Sequence, residues 1–141
     1  MKKNTKGFTL IELLAVIVIL AIIALIATPI VLNLINKARK GAAVDTAYGV
    51  KKAAELYYAE SLITSPTEFV AIEFTCTNSD STKECATTGS NKVVLNIDGT
   101  IPDTGSKVAI ASDGTVTFTS LKVNGYTVNY NTTTKQFSVA E

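Results

Sequence analysis

Glu12 has the most unusual chemical setting in this chain. It is the only charged residue between Phe8 and Ile35, in a stretch that is otherwise almost wholly apolar. A carboxylate in a membrane-spanning helix costs about 2.5 to 3.5 kcal/mol at the helix centre, and such a residue commonly marks a functional site with a partner. Glu12 lies about one turn from a basic leader, which lowers this cost. The pattern nevertheless predicts that Glu12 has a positively charged partner.

Few other side chains in this chain are suited to catalysis or metal binding. There are two cysteines, Cys76 and Cys85, and no histidine. A Ser-His-Asp triad is therefore excluded, and two thiols are too few ligands for zinc. Asp98, Asp103 and Asp113 stand in turn-forming sequences and lack EF-hand spacing. We expect no enzyme activity, no metal and no cofactor.

The apolar segment behind Glu12 is long enough to cross a bilayer. Leu13 to Leu32 is twenty residues long, and only Thr28 and Pro29 in it are not strongly apolar. As a helix it would measure about 30 Å. A secretory signal peptide is the alternative, but its apolar region is shorter and ends in a small-x-small cleavage site. Basic residues flank both ends of the segment, so charge alone does not decide its orientation.

The N-terminus resembles that of type IV pilins and of the pseudopilins of type II secretion and competence systems. The likeness consists of a basic leader, a Gly7-Phe8 junction, Glu12 four residues past Phe8, and Pro29 within the apolar run. It implies that a prepilin peptidase cuts after Gly7 and methylates the amino group of Phe8. It also implies that Glu12 pairs with the Phe8 amine of a neighbouring subunit, and that the helix loses helicity over about residues 21–30 in a filament. An ordinary signal anchor is the alternative.

The resemblance also implies a location and a set of partners. The precursor would be a single-pass protein of the cytoplasmic membrane with its C-terminal domain outside, and the mature protein would form a filament on the cell surface. Its partners would be lipid before assembly, copies of itself with minor pilins, the prepilin peptidase and the assembly machinery. The alternatives are a pseudopilin, a single-pass binding protein that never polymerises, and a secreted enzyme, which the lack of histidine disfavours.

The charge balance points to no nucleic-acid partner. Loss of residues 1–7 removes three of the thirteen basic residues and none of the twelve acidic ones, so the mature chain has ten against twelve, a side-chain charge of −2. A nearly neutral chain has no broad basic field. The three leader cations are Lys2, Lys3 and Lys6.

A single long helix is predicted from about Phe8 to about Ser61, with Pro66 as its outer limit. It is apolar all round up to Ile35 and amphipathic beyond. Its later apolar residues recur at alternating spacings of four and three, which indicates one face packed on a sheet. These residues are Ala43, Ala47, Val50, Ala54 and Tyr57.

The hydrophobic period changes to two after Thr67, which predicts β-strands. Asp113-Gly114 and Asn124-Gly125 are typical of hairpin turns. We predict an α+β fold in which a small antiparallel meander packs on the amphipathic part of the helix. The strand candidates are 70–76, 92–97, 107–111, 115–119, 121–123, 126–130 and 136–139.

Cys76 and Cys85 bracket a polar loop, Thr77 to Glu84, and an even cysteine count in an exported domain predicts one disulfide. The chain thus divides into a leader (1–7), a transmembrane or filament-core half of the helix (8–35), an amphipathic half (36–61) and a β domain (62–141). Pilins of Gram-negative bacteria place their disulfide nearer the C-terminus. That difference weakens any transfer of the family's C-terminal receptor-binding loop to this chain.

Overall fold

A computed structural model describes residues 7–65 and 68–140. The leader lysines, Pro66 and Thr67 lie outside the described residues. One α-helix, α1 (Leu10–Thr64), precedes eight strands. The helix begins two residues after the predicted start and ends three after the predicted end. The strands are β1 (Ile72–Asn78), β2 (Lys83–Ala86), β3 (Val94–Leu95), β4 (Lys107–Ile110), β5 (Val116–Thr119), β6 (Lys122–Val123), β7 (Tyr126–Asn131) and β8 (Gln136–Val139).

The chain divides into two units, one up to Ala38 and one from Arg39 onward. In the first unit, the helix carries its apolar side chains on all sides without any protein covering them. Among the described residues, α1 is the one helix that is long and apolar enough to cross a membrane by length and composition.

In the second unit, α1 packs on β-sheet through a stripe of small side chains. Ala43, Ala47, Val50 and Ala54 are completely buried, as the spacing predicts, and Ala53 joins them. Tyr57, the fifth predicted member, is only partly buried. Alanine side chains are small and let strands approach the helix closely. The stripe contacts two separate sheets, which are described next.

The strands form two antiparallel sheets instead of the single predicted meander. Five strands pair in the order β3-β2-β1-β4-β5, and three pair as β6-β7-β8. Val50, Ala53 and Ala54 pack on the first sheet with Phe74 and Val108. Ala43 and Ala47 pack on the second with the hydrophobic residues Leu121, Val123, Val128 and Phe137. The predicted meander is wrong because a meander pairs strands in chain order, whereas β1 lies in the centre of its sheet, between β2 and β4.

The prediction of a polar loop from Thr77 to Glu84 is wrong at both ends, because Thr77 and Asn78 belong to β1 and Lys83 and Glu84 to β2. Asn78 pairs with Lys83 and Thr77 with Glu84, so the segment is a tight hairpin. Only Cys85 and Ala86 of β2 are buried. A strand of four residues whose first half is polar shows too little alternation to be recognised from its own sequence. Val70 was expected on the buried face of the first strand, but it is exposed and lies outside β1.

The predicted bond between Cys76 and Cys85 is present and links two residues that face each other across β1 and β2. The Cys76 N–H donates to the Ser106 carbonyl (2.8 Å), and the Cys76 carbonyl accepts from Gly105 N–H (3.0 Å). The backbone of Cys76 therefore bonds toward β4, which makes its pairing with Cys85 the non-hydrogen-bonded type. Side chains come closest at such pairs, and here the two Cα atoms are 3.8 Å apart.

The segment before β4 holds the two sheets together. Both Asp103 carboxylate oxygens accept backbone N–H groups from the β6–β7 turn, one from Asn124 (3.1 Å) and one from Gly125 (2.7 Å). Ser106, which is 1% exposed, donates to the Lys122 carbonyl (3.3 Å) and accepts the Lys122 N–H (3.0 Å). Asp103 therefore serves as an acceptor for main-chain groups, a structural role that the sequence alone did not reveal.

Both predicted hairpin turns form, and both need glycine. Gly114 and Gly125 have φ angles of 83° and 81°, in the left-handed region that side chains disfavour. Next to Gly114, the Thr115 N–H donates to the Asp113 carboxylate (2.9 Å) and lowers the pKa of Asp113. A Cβ at position 114 would lie 2.5 Å from the Tyr58 ring, whereas one at position 125 would meet no atom within 4 Å.

This difference gives a matched pair of substitutions. We expect Gly125→Ala to lower the free energy of unfolding by about 1 to 2 kcal/mol, the cost of the left-handed conformation. Gly114→Ala should cost about 3 kcal/mol, because overlap with the Tyr58 ring is added. Urea denaturation of the two variants measures the difference. Equal costs would show that the Tyr58 ring moves aside freely. In a Tyr58→Ala background, where the ring is absent, Gly114→Ala should cost no more than Gly125→Ala.

Candidate functional site

The carboxylate of Glu12 is bound to Thr9 at the start of α1. Glu12 Oε2 accepts the Thr9 N–H (2.9 Å) and the Thr9 hydroxyl (2.7 Å), and the Glu12 N–H donates back to Thr9 Oγ1 (3.3 Å). The Leu13 N–H donates to the Thr9 carbonyl (3.2 Å). This is a capping box, in which Thr9 is the N-cap and Glu12 is the third helical residue. The Glu12 charge also lies at the positive end of the helix dipole.

The capping box leaves one carboxylate oxygen available. Both contacts with Thr9 use Oε2, and no hydrogen bond to Oε1 occurs within residues 7–65 and 68–140. A carboxylate accepts hydrogen bonds at both oxygens. Glu12 can therefore cap its own helix and bind a cation from outside the chain at the same time.

Gly7 and Phe8 precede the helix and are exposed. Neither is in regular secondary structure, and Phe8 is 90% exposed. A Cβ placed on Gly7 would meet no atom within 4 Å, and its φ is not in the left-handed region. The described structure therefore contains no packing or conformational reason for a glycine at position 7. Its bond to Phe8 is accessible to an external enzyme.

Pro29 lies inside α1, which stays helical through residues 21–30 in this structure. Proline has no N–H, so the carbonyl four residues earlier, that of Leu25, loses its helical partner. The adjacent Thr28 hydroxyl donates to the Ala24 carbonyl (2.6 Å) and not to Leu25. The predicted loss of helicity in a filament remains a prediction, and the unsatisfied Leu25 carbonyl is where the helix is weakest.

The aspartates considered for metal binding do not converge. Within the described residues, no three Cys, Asp or Glu side chains lie close enough together to hold a metal ion. Asp103 is bound to the β6–β7 turn and Asp113 to its own turn, as described above. Cys76 and Cys85 are joined to each other. The residues brought together at the start of α1 are Gly7, Phe8, Thr9 and Glu12.

Comparison with known families identifies this N-terminal group. Residues 2–28 match the family described as the prokaryotic N-terminal methylation motif. Apart from Pro29, the residues on which the resemblance to type IV pilins and pseudopilins rests lie within this motif. The match covers all the residues of the capping box and the first nineteen residues of α1, while the β domain lies outside it. Searches of curated proteins and of solved structures found no match.

Thr9 is the residue of this N-terminal group whose role was not predicted from the sequence. The signal was present, because Thr9-Leu10-Ile11-Glu12 fits the S/T-x-x-E pattern of a capping box before an apolar run. Substitution of a threonine N-cap commonly costs about 1 kcal/mol of helix stability. Glu12 therefore has a structural role in the subunit in addition to the pairing expected from the pilin family.

Proposed function

We propose that this protein is the precursor of a structural filament subunit. A prepilin peptidase cleaves it between Gly7 and Phe8 and methylates the Phe8 amine, and the mature chain polymerises into a type IV pilus through the apolar half of α1. The leader match over residues 2–28 supports this proposal. The fold agrees with it, since a long apolar helix packed on an antiparallel sheet is a pilin-like arrangement.

The observation that carries the processing step is the setting of Gly7. Nothing in the described structure requires glycine there, and the bond to Phe8 is exposed and outside the helix. The need for glycine then lies in an external active site, where a Cβ would obstruct the approach of the peptide.

The observation that supports polymerisation is the uncovered apolar helix. Ile17, Leu20 and Ile23 are each more than half exposed, and so are most other apolar residues of this half. Apolar surface of this extent requires lipid or other protein around it. We propose that lipid of the cytoplasmic membrane covers residues 8–35 in the precursor and that neighbouring subunits cover them in the filament. Helix melting before Pro29 would accompany the transfer.

This proposal also gives a role to each of the other segments of the chain. Residues 1–7 are the leader, residues 36–61 support the β domain, and residues 62–141 form the domain outside the membrane. The partners are other copies of this chain, minor pilins, the peptidase and the assembly machinery. No feature of residues 7–65 and 68–140 favours a pilus over a pseudopilus, so a pseudopilin is the second candidate with the same processing.

Intact-mass measurement of the protein from its own host tests the processing step. We expect the mass of residues 8–141 plus one methyl group, with the methyl on the Phe8 nitrogen, because methylation follows cleavage in this family. A Gly7→Trp variant should stay uncleaved and give the precursor mass. A mature protein that retains Met1 or Gly7, or that starts at Thr28, would contradict the proposal and favour a non-polymerising membrane protein or a signal peptide.

A further inference from the structure

Two neighbouring cations, Arg39 and Lys40, lie in α1 just beyond the apolar half of the helix. Arg39 and Lys40 are exposed and form no ion pair within residues 7–65 and 68–140. In a helix, an ion-pair partner stands three or four residues farther along the chain. For Arg39 and Lys40 these positions hold Ala42, Ala43 and Val44. By contrast, the Lys51 amine bonds to Glu55, which raises the pKa of Lys51.

The nearest acid along the helix is Asp45, and it faces another way. Five residues separate it from Lys40, a rotation of about 140° around the helix axis. Asp45 is exposed and also forms no ion pair among the described residues. Arg39 and Lys40 therefore lie on other sides of α1 than Asp45, and neither can meet it within one helix.

Complementary patches on different sides of one element favour head-to-tail association. When such a contact does not close into a ring, it generates an open helical filament. The surroundings of Asp45 allow another helix to come close, because Gly41 and Ala42 are exposed and a Cβ on Gly41 would meet no atom within 4 Å. The occupant that this arrangement fits is a second copy of the same chain.

We propose that Asp45 of each subunit pairs with Lys40 of the next subunit in the filament, with Arg39 beside it. This inference rests on the proposed polymerisation. If the helices of two subunits are parallel, this contact requires one subunit to be displaced relative to the next by five residues along the helix axis, about 7.5 Å. The expected pair of Glu12 with a neighbour's Phe8 amine needs four residues in the same direction, about 6 Å. The flexible stem of Lys40 spans the difference, so one displacement satisfies both pairs.

Cysteine crosslinking in assembled filaments tests the contact directly. In the variant Lys40→Cys with Asp45→Cys, we expect oxidation to give a ladder of dimers and higher multimers on a non-reducing gel. A bond within one helix is excluded, since Cα atoms five residues apart in a helix are about 8 Å apart or more, beyond disulfide reach. The matched control is Asp45→Cys with Lys52→Cys, two positions on one face, which should stay monomeric.

Exchanging the two charges distinguishes the Asp45–Lys40 contact from other roles of Lys40. Asp45→Lys alone and Lys40→Asp alone should each reduce filament number about tenfold, because like charges then face each other. The double variant, with both Asp45→Lys and Lys40→Asp, should restore the filament number. Failure of the double variant to recover would overturn the pairing and point to another contact of Lys40, such as lipid phosphate.

Failure of this inference is distinguishable from failure of the proposed function. If the unaltered chain forms no filaments in its own host, polymerisation itself is wrong. The other case is that the unaltered chain forms filaments while Lys40→Cys with Asp45→Cys gives no ladder of multimers, or while the control Asp45→Cys with Lys52→Cys gives one. In that case the subunits pack with a different displacement, and the Asp45–Lys40 pair is wrong.

Discussion

Glu12→Ala should be exported, folded and cleaved at Gly7 but poorly incorporated into filaments. After cleavage each subunit has a positive amine at Phe8 and a negative carboxylate at Glu12, both at the end of an apolar helix. In a filament core the loss of Glu12 would leave the neighbour's amine buried without a partner. Breaking a buried pair in this way costs about 3 to 5 kcal/mol, which is about a hundredfold or more in the association equilibrium. Filaments of the variant as sole subunit, counted by electron microscopy, give the measurement.

The capping box makes further controls necessary, because Glu12→Ala also removes the hydrogen bonds to Thr9. Glu12→Gln keeps the capping box, which accepts glutamine at this position, but removes the charge. We expect it to fail in assembly like Glu12→Ala. Thr9→Val removes the cap and keeps the charge, and should assemble better than either. Glu68→Ala, at an exposed position of the β domain, should assemble normally.

Two outcomes would contradict the pairing role. Normal filament numbers from Glu12→Ala would mean that the charge is dispensable after cleavage. Normal numbers from Glu12→Gln together with failure of Thr9→Val would assign Glu12 to the helix cap alone.

The double variant Cys76→Ala, Cys85→Ala should lower the free energy of unfolding by about 4 kcal/mol. Closing a loop of this length stabilises by about 2.5 to 3 kcal/mol in the chain-entropy model. Both sulfurs also lie in the core cluster with Phe74 and Val108 and are completely buried, so the double Cys76→Ala, Cys85→Ala variant loses packing as well. For a domain with a small core, this is a large share of the total stability.

Urea denaturation of the full chain in detergent, followed by tyrosine fluorescence, checks this value. All five tyrosines lie in the unit that starts at Arg39. Reduction of the unaltered protein should cost only the chain-entropy part, so the variant should be less stable than the reduced protein. A non-reduced peptide map of exported protein should show residues 76 and 85 linked. Free thiols there, or a variant as stable as the unaltered chain, would contradict the prediction.

The helix and the two glycine turns could be predicted because their signals are local. The burial stripe of α1 follows from the spacing of Ala43, Ala47, Val50 and Ala54, since side chains three and four residues apart share a helix face. The turns follow from Asp113-Gly114 and Asn124-Gly125, where the backbone must take positive φ. The candidate site was likewise accessible from residue types alone, since a lone carboxylate in an apolar run is conspicuous.

The sequence by itself therefore determined the long helix, the hairpin turns, the partnership of Cys76 with Cys85 and the N-terminal methylation motif. Only the tertiary structure decided that β1 is central, that β2 pairs beside it, and that two sheets share one helix stripe. The physical reason is that strand order depends on contacts between distant segments, such as the Asp103 carboxylate with the turn at Asn124 and Gly125. Those contacts leave no periodic pattern in either segment, whereas helix faces and turns are set by neighbours in the chain.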